Sequence, residues 1–107
     1  TGAWRVSVPA RAAFRATSPA GTQEMLRILE AQEFNDEIPA GLPPGTRVAH
    51  KTGQITGVLH DAAIVFPPDG QAPFILVVLT RGIPDEKVAR ALIQDVARYV
   101  WTVLVDD

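Results

Sequence analysis

Lys51-Thr52-Gly53-Gln54 closes a strand-like run that begins at Arg47. An ammonium, a small hydroxyl and a glycine placed where a strand stops suit the binding of a carboxylate, and the missing side chain at Gly53 lets a ligand approach the backbone. The chemistry expected there is anion recognition at a strand edge. His50 precedes the lysine, and His60-Asp61 follow a few residues later. Two histidines on separate strands with one aspartate match no recognised ligand spacing, so no metal site is expected. A partly buried imidazole, hydrogen-bonded to its neighbours, is the simpler reading of each.

The elements that must hold this stretch can be read from period and punctuation. Trp4, Val6 and Val8 alternate with Arg5 and Ser7 until Pro9, which predicts a short edge strand. Ala10 to Ala16 reads as a helical turn or a loop. Ser18-Pro19 is a helix start, serine capping and proline at the first helical position. The helix it opens ends near Gln32 to Phe34, with Met25, Leu26, Ile28 and Leu29 on a buried face. Asn35 to Gly45 concentrates proline and glycine and predicts an extended loop.

Three strands follow: Arg47 to Thr52, Leu59 to Phe66, and Phe74 to Leu79, with Asp69-Gly70 at the tip of the last connection. Such short connections join antiparallel neighbours, so the strands form a meander in sequence order. The third strand is apolar at every position, which predicts cover on both faces. Asp85-Glu86 opens a closing helix that runs to about Leu104. Its two adjacent stripes, Val88-Leu92-Val96-Tyr99-Val103 and Ala89-Ile93-Ala97-Val100-Leu104, predict a wide face packed on the sheet. The fold class expected is α+β, an antiparallel three-stranded meander with a helix before it and a C-terminal helix packed on the sheet.

Composition excludes several functions. The 107 residues suit a single domain or a fragment of one, with 47% hydrophobic residues and a formal charge of -2. The eight arginines are scattered rather than striped, so no nucleic-acid surface is expected. There is no cysteine, which rules out disulfides, thiolate metal sites and a cysteine nucleophile. No apolar run approaches the ~20 residues a membrane span needs, and no membrane partner is expected. A start at Thr1 implies a trimmed or processed chain, a proteolytic fragment or a truncated reading frame, and the compartment stays open.

Lys-Thr-Gly is one of three motifs of penicillin-recognising serine enzymes. With it come a Ser-Pro helix, a proline-rich loop, a strand ending His50-Lys51-Thr52-Gly53, a second strand opening His60-Asp61, the turn Pro67-Pro68-Asp69-Gly70, a third strand closing Leu79-Thr80-Arg81-Gly82, and a C-terminal helix. Over roughly residues 18 to 105 this order resembles the last third of class A β-lactamase-like serine hydrolases; residues 1 to 17 remain unassigned. The resemblance implies a partial β-lactamase/transpeptidase-like fold and hydrolysis of β-lactams through an acyl-enzyme. It needs no cofactor, and relatives are typically periplasmic or secreted. By the same resemblance Lys51 and Thr52 bind the substrate carboxylate, Gly53 lets the substrate lie along the strand, and Gln54 gives a backbone N–H to the oxyanion hole. His60 stands where many such enzymes carry a carboxylate-binding arginine.

The family's nucleophile comes from Ser-x-x-Lys. This chain has two lysines, and the positions three before them are Val48 and Pro84. Ser-Asp-Asn is missing too, since the one asparagine, Asn35, follows Phe34. No residue of the chain is therefore expected to act as nucleophile or base, and the chain alone is expected to be inactive. The ligand implied is a β-lactam or a peptidoglycan-like small molecule. A missing N-terminal segment, a second copy of the chain, or the Trp4 to Val8 segment is expected to cover the Phe74 to Leu79 edge. Alternatives are a non-catalytic pseudoenzyme or assembly module, or a fragment of a D-Ala-D-Ala peptidase.

Overall fold

The computed structural model describes residues 3–7, 18–55 and 57–106. Strand β1 spans Ala3–Ser7, helix α1 Pro19–Glu30, β2 Arg47–Ile55, β3 Val58–Phe66, β4 Phe74–Arg81 and helix α2 Glu86–Trp101. A 3-10 turn at Pro39–Gly41 interrupts the proline-rich loop, and a π-helical turn at Thr102–Asp106 follows α2. The expectation for Ala10 to Ala16 falls outside the described residues.

The sheet is antiparallel in the order β1-β4-β3-β2. Its β2-β3-β4 part is the meander expected from the short connections. The β3-β4 turn places Asp69 at φ 60° and Gly70 at φ 73°, the left-handed pair that a tight hairpin tip requires. Strand β1 lies on the far side of β4, from Ala3 opposite Arg81 to Ser7 opposite Val77. The Phe74 to Leu79 edge was expected to receive β1, a missing segment or a second copy. Over Val77 to Arg81 the chain's own β1 takes it, because backbone N–H and C=O groups there find their partners within the same molecule.

One face of the sheet carries the core. Val48 from β2, Leu59, Ala63 and Val65 from β3, and Phe74, Leu76 and Val78 from β4 share the inward parity and pack against Ala89, Ile93, Ala97 and Trp101 of α2. Asp85 caps α2, its Oδ1 accepting from Lys87 N at 2.9 Å. Only one of the two predicted stripes is buried. Val88 and Tyr99 face solvent, as do Val103 and Leu104 beyond the helix end. A single helix lying on a twisted sheet presents one residue per turn to the contact line, so the flanking stripe is left half covered.

The opposite face corrects two further expectations. In β4 burial alternates, with Phe74, Leu76, Val78 and Thr80 buried while Ile75 and Val77 are half-buried and Leu79 is exposed. The strand is covered on one face, not two, because α2 packs on that face alone. Helix α1 begins as predicted, with Ser18 Oγ accepting from Gly21 N at 3.1 Å, but it ends at Glu30 and buries no residue. It rests beside β2 through Arg47, whose Nη2 donates to Glu30 Oε2 at 2.9 Å and whose guanidinium stacks 4.1 Å from the Phe66 ring. Met25 and Ile28 stay largely exposed.

Candidate functional site

Among the described residues β2 ends the sheet, so on its outer side alternate residues offer N–H and C=O groups that no described strand satisfies. Lys51, Thr52, Gly53 and Gln54 sit on the last half of this strand and line a cleft of about 500 Å³. The opposite wall is Phe34, Asp36 and Glu37 from the loop after α1, together with Arg90 of α2. Lys51 is exposed, and its Nζ donates to the Thr52 carbonyl at 2.8 Å. An ammonium has three donors, so this resting contact leaves two for a ligand. A larger hollow of about 670 Å³ runs along α1, lined in part by Gln23, Glu24, Arg27 and Glu30. Its charged groups are already paired, Arg27 with Glu24 and Glu30 with Arg47.

Four of the five predicted site residues meet in the cleft; His60 does not line it. His60 lies opposite Gly53 in the β2-β3 register. A Cβ added at Gly53 would stand 2.1 Å from His60 Nε2, so the space beside this glycine is filled by an imidazole. Gly53→Ala should therefore cost about 1–3 kcal/mol, the usual range for overpacking. His60→Ala should relieve most of that penalty, which urea unfolding of both single variants and the double variant will read as a coupling.

Behind the strand lies a buried polar network that local sequence pattern did not reveal. His50 (1% exposed) and Asp61 (0% exposed) share the inward face, with His50 Nδ1 3.1 Å from Asp61 Oδ1. Asp61 Oδ2 accepts from Ile38 N at 3.0 Å. The other ring nitrogen, Nε2, lies 2.8 Å from Asn35 Oδ1. The Asn35 amide nitrogen donates to the Gln32 and Glu33 carbonyls, which fixes its oxygen toward the ring. His50 thus donates to Asn35, and one proton is held between Nδ1 and Oδ1. The network ties β2, β3 and the 35–38 loop together. The expectation of a hydrogen-bonded His50 agrees with this. The available signal was parity: Thr52 pairs with Asp61, which puts His50 and Asp61 diagonally adjacent on one face.

Glu37, also missed, is 3% exposed, and its Oε1 has no hydrogen-bond partner. Burial pushes its carboxyl up to about 7, with the charges of Asp61 and Asp36 adding to the shift and Arg90 and His50 opposing it. Arg90 is ion-paired, its Nε 3.1 Å from Asp36 Oδ2 and its Nη2 3.9 Å from Glu86 Oε2, although the buried Nε makes no hydrogen bond among the described residues.

Lys51-Thr52-Gly53 thus lies on the edge strand of an antiparallel sheet, with α2 packed on one face of that sheet and a cleft along the edge. The chain belongs to the β-lactamase enzyme family, whose model matches residues 12–104, and its fold is that of the class A members. It is 37% identical over 68 residues to a β-lactamase of Bacillus licheniformis, a match covering 63% of this chain and 22% of that protein. Among solved structures, PBP-A superposes with a TM-score of 0.77 at 31% identity, covering 84% of this chain and 34% of the other. A class A β-lactamase representing the last common ancestor of Gram-negative bacteria superposes with a TM-score of 0.75 at 32% identity, covering 80% and 34%. The chain thus spans about a quarter to a third of the length of these relatives.

Proposed function

We propose that this chain supplies the carboxylate-binding wall of a class A-like serine hydrolase acting on β-lactams. The observation that carries the reading is Lys51-Thr52-Gly53-Gln54 on the unpaired edge of β2, open to the cleft. Lys51 and Thr52 take the substrate carboxylate, Lys51 by charge and Thr52 by its hydroxyl. Gly53 keeps the strand flat there for the ligand, His60 borders the site from across that glycine, and the Gln54 N–H serves the oxyanion. A donor of that kind is worth about 3 kcal/mol of barrier.

The nucleophile comes from other polypeptide, because Ser-x-x-Lys does not occur between Thr1 and Asp107. The half-buried Ile75 and Val77 with the exposed Leu79, on the face that α2 leaves open, support this reading, since contiguous apolar surface on a sheet calls for a covering layer. A D-Ala-D-Ala peptidase is the second reading, favoured by the likeness to PBP-A, a variant of which forms an acyl-enzyme complex with penicillin G.

The test is a chromogenic β-lactam assay on the chain alone and on the chain mixed with the N-terminal part of the Bacillus licheniformis enzyme. No turnover alone, and turnover on mixing that Lys51→Ala abolishes, is the expected result. Covalent labelling of the isolated chain by penicillin would overturn the assignment of the nucleophile elsewhere. Cleavage of an acyl-D-Ala-D-Ala peptide in preference to the β-lactam selects the second reading.

A further inference from the structure

Glu37 stands in the same cleft as Lys51, yet among the described residues no group answers its Oε1. The titratable and charged groups around it come from each neighbouring element: Asp36 on its own loop, His50 and Lys51 on β2, Asp61 on β3 and Arg90 on α2. His50 is committed to Asp61 and Asn35; Arg90 is ion-paired with Asp36 and Glu86, and neither its Nε nor Glu37 Oε1 has a hydrogen-bond partner among the described residues, so the two do not answer each other. A buried carboxyl with two acidic neighbours and no hydrogen-bond donor directed at it is most stable neutral. A neutral carboxyl is a donor, whereas its ionised form would set a negative charge in the cleft where an anion must enter.

We propose that Glu37 is a specificity-determining residue of this cleft: its neutral carboxyl donates a hydrogen bond to the ligand carboxylate that Lys51 pairs with. Carboxylate binding then requires a protonated Glu37 and takes up a proton from solvent when that group has ionised. The inference rests on the reading of Lys51 to Gln54 as a carboxylate site. It adds a second, proton-dependent recognition element, supplied by the loop after α1 rather than by the strand.

The experiment is calorimetric and NMR titration of the whole chain with benzylpenicillin and with its methyl ester, between pH 6 and pH 8. The competent fraction falls across this range, so affinity for benzylpenicillin should drop about tenfold. Near pH 8 binding should take up close to one proton, read from buffers of different ionisation enthalpy. The methyl ester should show neither effect. Glu37→Gln keeps a donor at every pH and should bind benzylpenicillin with a flat profile. A slope that survives in Glu37→Gln, affinity that rises with pH, or binding without proton uptake in the unsubstituted chain would each overturn the proposal. Lys51→Ala separates the two levels. If it weakens benzylpenicillin at every pH while Glu37→Gln leaves the slope intact, only the role of Glu37 fails. If it binds as tightly as the unsubstituted chain, the carboxylate site itself is refuted.

Discussion

Asp61→Ala should destabilise the chain by about 2–5 kcal/mol, the cost of leaving two buried hydrogen-bonding groups unanswered at about 1–3 kcal/mol each. Asp61 is wholly buried and holds two donors, the Ile38 N–H and His50 Nδ1. Alanine removes both acceptors from a buried place, and among the described residues no other group there takes over from them. Domains of this size are stable by roughly 5–15 kcal/mol, so the loss is a large share of the total. Urea unfolding followed by far-ultraviolet circular dichroism will show it as a lowered midpoint. The informative contrast is His50→Leu with Asp61→Leu. The double variant has no uncompensated ring at the β2-β3 junction, and it should be more stable than Asp61→Ala although it removes more hydrogen bonds. A single-variant cost under about 1 kcal/mol would mean that the network does not fasten the 35–38 loop to the sheet.

That network marks the limit of what the sequence shows. Elements governed by neighbours in the chain were legible: the Ser18 cap of α1, the Asp69-Gly70 tip and the bounds of β3 and β4 follow from capping, left-handed turn chemistry and apolar runs. The extent of burial was not. The residues of β4 and the second stripe of α2 are apolar whether or not a layer covers them, so composition alone could not show that only one face is packed. At the site, Lys51 to Gln54 were visible because four consecutive residues share one strand. Glu37, His50 and Asp61 became a unit only through strand register and loop packing. Ile38 meets Asp61 across 23 positions, and His50 meets it across 11. The ring of His60, which stands where a Cβ at Gly53 would be, likewise followed only from strand register.

Glu37 gives the second large effect, and its sign follows from where its carboxyl titrates. In the folded chain the value is about 7, against an ordinary value of 4.5. Below pH 4.5 the folded and unfolded chains both hold this proton, and the stabilisation is fully present. As pH rises through the interval, the unfolded chain releases the proton while the folded chain keeps it. The folded state therefore loses ground until pH passes 7, by about 3 kcal/mol in all at 1.36 kcal/mol per pH unit. Other carboxylates contribute slopes of their own, so the quantity to measure is the difference between the chain and Glu37→Gln, which cannot ionise. Urea unfolding at pH 5 and pH 8 should find the variant gaining about 2.5 kcal/mol relative to the chain as pH is raised, since part of the change already lies below pH 5. A difference that stays constant would place the Glu37 carboxyl in its ordinary range, and proton-linked carboxylate binding would fall with it. A difference of the expected size would mean that the fold tolerates an unanswered acid beside Lys51 at a cost in stability that grows toward neutral pH. A ligand carboxylate that accepts a hydrogen bond from the neutral Glu37 favours the protonated form and offsets that cost, which makes the same residue a liability in the empty cleft and a source of selectivity in the filled one.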